Sequence, residues 1–220
     1  TGYLTQICLT LRDANCADRL QILKLLEAER IYGPNSIEIE PTLTDLGDYF
    51  SRQAENLARL EWDGHDRYYS NIRHDGAAGE GYMTRSAFSK ARYLQNKLRL
   101  FKKAINMYLR SIEIVELNSS ASDLRLIRPL LALEKAYEKR GSGKKSKAAV
   151  LRSIEVLETN PKASLVDRAS RLVRLGDLHT LDSSNKKAKK AYLKAWVMLQ
   201  DTPETEQHKG NPLTDLNHDG

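Results

Sequence analysis

Ser111-Ile-Glu-Ile-Val-Glu-Leu-Asn118 and, 42 residues further on, Ser153-Ile-Glu-Val-Leu-Glu-Thr-Asn160 agree at five of eight positions. The offset persists beyond these two stretches, because Leu130-x-x-Leu133 precedes Leu172-x-x-Leu175-Gly176 by the same 42 residues. Self-similarity at a fixed period of this size signals units that cannot bury their apolar faces alone and stack on one another. The sequence therefore predicts a solenoid of stacked units, whose work is binding rather than chemistry.

Composition agrees with that class. The 220 residues are 40% hydrophobic and 29% charged, with six prolines and little β-branched alternation, which favours helices over strands. No apolar run approaches the roughly 18 residues that cross a bilayer, so a soluble chain is expected. The net charge of +6 biases a heavily charged surface toward acidic partners. Cys8 and Cys16 match neither a disulfide framework nor a metal quartet, and Cys8 reads as a small buried residue.

Within residues 169–210, Leu172, Leu175, Gly176 and His179 form one helical stripe, and Ala188, Tyr192 and Ala195 a second. Leu181-Asp-Ser-Ser-Asn185 supplies the turn between them. Gly176 carries a helix penalty of about 1 kcal/mol, and a close helix approach is the physical reason to tolerate it. These residues resemble the tetratricopeptide repeat, with His179 departing from the usual aromatic, and the resemblance implies an all-α, right-handed superhelical solenoid of antiparallel helical hairpins. Similar first helices begin at Leu43 (with Leu46, Gly47 and Phe50), at Phe88 and at Leu130. The second helices that go with the last two hold Ala104, Tyr108 and Ser111, and Ser146, Val150 and Ser153.

The 42-residue period, against the common 34, resembles the long variant of kinesin light chains and predicts extended second helices. A further pair is expected at the N-terminus, from Leu4, Ile7, Cys8 and Leu11 to Ala17–Ile31. The repeat domain is expected over 1–200, with an irregular repeat and loop insertion at about 55–85. In that region Trp62-Asp-Gly-His-Asp66 and Asp75-Gly-Ala-Ala-Gly-Glu-Gly81 interrupt helical periodicity, leaving a distorted second helix at Arg67–Arg73. A polar tail is expected over 201–220.

Chemistry-bearing motifs are weak. Lys139-Arg-Gly-Ser-Gly-Lys-Lys-Ser146 echoes a phosphate loop but has Glu138 and Lys145 where that motif needs Gly and Ser or Thr, so it reads as a hairpin turn. His65, His74 and His179 lack helical zinc spacing. No nucleophile constellation is evident, and a non-enzymatic protein without cofactor is expected. Asp215, Asn217 and Asp219, before Gly220, match the first half of an EF-hand loop but lack its bidentate Glu, giving at most a weak metal site. The compartment stays open, with a lean toward periplasmic or secreted over cytoplasmic.

The family resemblance implies a concave groove lined by the first helices. By register, Thr44, Asp48, Arg52, Ser86, Ser89, Lys90, Tyr93, Asn96, Lys97, Arg128, Leu131, Lys135, Lys139, Ser170, Val173, Arg174 and Asp177 would face it. Of these, Arg52, Lys90, Tyr93, Asn96, Lys97, Arg128, Lys135, Lys139 and Arg174 are the candidate contacts for a peptide or protein partner, acidic in character. The alternative is nucleic-acid or anionic-surface binding by Lys144, Lys145, Lys147, Lys186, Lys187, Lys189 and Lys190, disfavoured because few aromatics are interleaved. Self-association is a third reading, through an apolar end at Trp196–Leu199.

Overall fold

The computed structural model describes the backbone of residues 14–75 and 80–200 and the side chains of 16–57 and 92–200. Over these residues the chain is all-helical: α1 (Ala14–Tyr32), α2 (Glu40–Asp75), α3 (Glu80–Asn118), α4 (Ile127–Lys139), α5 (Gly143–Thr159), α6 (Leu165–Leu181) and α7 (Asn185–Gln200). Short 3-10 turns at Ile37–Ile39 and Leu124–Leu126 lead into α2 and α4. Each helix packs on the next in chain order, and α4 also touches α2.

Local chemistry sets the boundaries. Gly33 takes φ 90° after α1 and its N–H donates to Glu29 O at 2.9 Å, a left-handed cap that Pro34 makes final. Gly141, at φ 77°, does the same after α4, with Ser142 N–H reaching back to Tyr137 O at 2.8 Å. The Lys139–Ser146 segment is thus a helix-to-helix turn. After α6 the same geometry recurs with Ser183, at φ 55°. At the other ends, the Ser36, Asp123 and Ser164 side chains accept the backbone N–H two residues on and start the next helical segment.

The largest departure from the sequence reading lies between Leu43 and Ser111. Where a loop insertion about 55–85 and a separate unit starting at Phe88 are expected, α2 runs unbroken through Trp62–Asp66 to Asp75 and α3 runs from Glu80 to Asn118. Tyr108, assigned from sequence to a hairpin with Phe88, instead packs on Gly47: a Cβ there would lie 2.7 Å from Tyr108 Cδ1. Tyr108 O–H donates to Asp48 Oδ1 at 2.8 Å across 60 residues, as Tyr192 O–H donates to Asp177 Oδ1 at 2.9 Å across 15. The two contacts occupy equivalent registers, so the first hairpin holds 45 residues more than the last. These form the outer parts of α2 and α3, a helical arm of about 20 residues a side, or roughly 30 Å.

The expectation of extended second helices is met by α5, at 17 residues against 13 for α4, but not by α7, at 16 against 17 for α6. Cys16 is disulfide-bonded, although two cysteines alone match no disulfide framework in the sequence. Leu4, Ile7, Cys8, Leu11 and the tail with Asp215, Asn217 and Asp219 lie outside the described residues. Among the described residues, no helix is long and apolar enough to cross a membrane.

Candidate peptide-binding face

The 42-residue period corresponds to contacts that recur between units. Asn118 Nδ2 donates to Asn35 O and Asn160 Nδ2 to Ser122 O, both at 2.8 Å, tying each second helix to the preceding connection. Glu29 pairs with Arg110 at 2.6 Å, Glu116 with Arg152 at 3.0 Å, and Glu158 with Lys194. The cations stand 42 residues apart in each step, and Ser111 and Ser153 are both fully buried. The conspicuous residues of the repeat therefore hold units together.

The first helices are joined by a second set of ion pairs, and these consume part of the candidate site. Arg128 of α4 contacts Asp45 Oδ1 at 2.6 Å and Asp48 Oδ2 at 3.0 Å on α2, and hydrogen bonding to Asp45 holds its pKa above the usual arginine value. Arg174 of α6 reaches Glu134 Oε1 at 2.5 Å and Glu138 Oε2 at 2.6 Å on α4. Burial opposes its charge, but Glu134 and Glu138 outweigh burial and raise its pKa. Glu134, which replaces the small residue of this register, is buried and also receives Arg171 Nη1 at 2.7 Å. The second-helix register that Tyr108 and Tyr192 hold in the other units is taken here by Val150, which is fully buried.

Two residues expected to face the groove are otherwise employed. Thr44 is fully buried, donating to Glu40 Oε1 at 2.7 Å beside Ser111, whose hydroxyl donates to the same oxygen at 2.9 Å. Asp48 accepts from Tyr108, whose phenol is pushed up in pKa chiefly by burial. Lys135 and Lys139 remain exposed on α4 and Arg52 on α2, where Arg52 Nε donates to Asp48 O at 3.3 Å.

Tyr93, Asn96 and Lys97 lie on the arm rather than on a stacked first helix. Lys103 sits 4.8 Å above the Phe50 ring, which fixes the antiparallel register of α2 and α3. Lys97 is six residues further out, about 9 Å along the helix. There its ammonium lies 6.0 Å from the Tyr93 ring centroid. The Lys90 side chain lies outside the described residues. The structure hence brings Arg128, Lys135, Lys139 and Arg174 together on α4 and α6 and sets the second-unit candidates apart.

His179, at the register of Phe50 and Tyr137, has Nδ1 3.0 Å from Lys147 Nζ, which also pairs with Asp182 at 2.9 Å. Burial and then the Lys147 charge lower its pKa. At the last hairpin, Trp196 and Val197 of the expected apolar end are exposed, whereas Met198 and Leu199 pack against the core. A pocket of about 420 Å³ opens there between Thr180, Ala188, Tyr192 and Trp196. Among the described residues, no group of three or more His, Cys, Asp or Glu side chains is placed to hold a metal. Comparison with protein-family models and with curated proteins finds no match for this chain.

Proposed function

We propose that the chain is a tetratricopeptide-like superhelical solenoid that serves as a non-enzymatic scaffold, holding an extended, acidic peptide or protein segment across its first helices. The observation that carries this reading is the recurrence of equivalent contacts from unit to unit: the tyrosine sockets at Gly47 and Gly176 and the Asn118 and Asn160 bridges. Packing of each helix on the next in chain order suits such an array. In this reading Arg128 and Arg174 set the spacing of the first helices, and the contacts to the partner come from Lys135, Lys139 and Arg52.

Selection of binders from a random peptide library tests it. Enriched peptides are expected to be acidic, and Lys135→Glu/Lys139→Glu should weaken their binding at least tenfold, about 1.4 kcal/mol. Neutral or basic consensus peptides, or binding indifferent to both substitutions, would overturn the proposal.

A further inference from the structure

The second helices share a feature that the packing of the units does not explain. Lys102-Lys103, Lys144-Lys145 and Lys186-Lys187 fall at one register, 42 residues apart, each directly before the small buried residue Ala104, Ser146 or Ala188. Lys103 is engaged, with Asp18 at 3.8 Å and over the Phe50 ring, and Lys145 lies 5.7 Å from the Tyr137 ring centroid. Lys102, Lys144, Lys186 and Lys187 are exposed and make no ion pair among the described residues. Neither α5 nor α7 has an acidic residue in its first turn, so these lysines stand where carboxylates would favour the helix dipole by about 0.3–1 kcal/mol each. The stretch 81–112 of α3 extends the same sign, with eight basic and no acidic residues.

The connections at the opposite ends of these helices are close to neutral. Residues 118–126 hold only Asp123 and Arg125, which pair with each other at 2.8 Å. The doublets therefore line one edge, at the starts of α5 and α7 and, on α3, at the base of the arm rather than at a helix start; the exposed acids nearby, Glu138 and Asp182, are paired with Arg174 and Lys147.

We infer that this lysine edge is a binding surface for the phosphodiester backbone of a nucleic acid, read without regard to base sequence. Equal point charges at equal register in successive units suit a ligand that itself presents equal charge at regular intervals. An acidic peptide, whose side chains vary, is better recognised by unlike groups. A bilayer needs an apolar wedge beside the cations, and each doublet is followed instead by a buried small residue. Aromatic stacking, whose scarcity counts against base recognition, is not needed for phosphate contacts, which position a nucleic acid without reading it.

The test is fluorescence anisotropy of the full chain with a labelled duplex of about 20 base pairs between roughly 50 and 200 mM salt, where each phosphate neutralised steepens the log–log slope by about 0.9. Parallel titrations use phosphatidylserine-containing vesicles and polyglutamate. Replacing Lys144, Lys145, Lys186 and Lys187 by Glu is expected to abolish duplex binding at about 100 mM salt and to raise the melting temperature, because the dipole penalty is removed. Lys135→Glu should leave duplex binding within twofold. Absence of duplex binding at low salt, retention of binding by the fourfold variant, or binding to vesicles or polyglutamate in preference to the duplex would each overturn the inference. The peptide selection reads Lys135 and Lys139 instead, so either proposal can fail alone.

Discussion

Gly47→Ala probes how firmly the first hairpin is held. A methyl at position 47 would stand 2.7 Å from Cδ1 and 2.9 Å from Cζ of Tyr108, well inside carbon contact distance. The ring has no free space to yield into: Tyr108 is 1% exposed, and its hydroxyl is tied to Asp48 at 2.8 Å and Ser51 at 3.2 Å. Overpacking against so confined a ring costs about 2–3 kcal/mol, the upper part of the usual range, while the better helix propensity of Ala returns about 1 kcal/mol. A net loss of about 1–2 kcal/mol is expected, lowering the melting temperature by roughly 2–8 °C in a chain of this size. Gly176→Ala meets the same ring atoms at Tyr192, but Tyr192 is 37% exposed and can swing toward solvent. That variant should stay within about 1 kcal/mol of the parent, because the propensity gain offsets the lost Asp177 bond. Urea unfolding followed by far-UV circular dichroism, with an unchanged slope, gives both values. Equal or greater stability of Gly47→Ala, or equal damage from the two substitutions, would refute the socket argument.

Glu134→Ala strips Arg171 and Arg174 of their shared carboxylate. It should cost about 2–3 kcal/mol by chemical denaturation, less than a fully buried pair because both guanidiniums reach solvent. A cost under about 0.5 kcal/mol would mean that the network is not structural. Ser183→Gly relieves the left-handed strain that Gly141 avoids one unit earlier and should stabilise by about 1 kcal/mol; a neutral result would show Ser183 unstrained. The folded state favours neutral His179, so its contribution is full above pH about 6.5 and declines as pH falls below that value. Asp182, held below its usual pKa by Lys147, loses its contribution only in stronger acid. Melting temperatures of the parent should thus drop more between about pH 7.5 and 5.5 than those of His179→Phe, and parallel curves would exclude the effect. Replacing residues 58–97 by a four-residue Gly-Ser turn should leave cooperative unfolding intact, whereas a molten product would show that the arm is integral to the core.

The units from Leu130 onward are legible in the sequence because their hairpins are closed by short turns, so the two stripes of each lie next to one another along the chain. Leu43, Leu46, Gly47 and Phe50 are equally legible as a first helix. Their partner is not, because a helix pattern carries no record of which distant stripe fills a glycine socket, and Phe88 is the nearest apolar candidate after the interruption. Gly64 and the Asp and His residues around it suggest a break, yet α2 continues through them, a single Gly costing a helix only about 1 kcal/mol. The candidate groove is readable as a set of positive positions. The engagement of Arg128 and Arg174 is not, since ion pairs to Asp45, Asp48, Glu134 and Glu138 depend on the spacing of helices rather than on periodicity.

The split first hairpin also bears on the order in which the molecule assembles. Closing the Tyr192–Asp177 contact joins residues 15 apart, whereas Tyr108–Asp48 joins residues 60 apart. Two doublings of loop length add about 1.2 kcal/mol of closure entropy, and contacts of longer range slow folding generally. The α4–α5 and α6–α7 hairpins are thus the natural nucleus. Growth then runs against the direction of synthesis, and α1 and α2, although synthesised earlier, wait for α3 before they can dock.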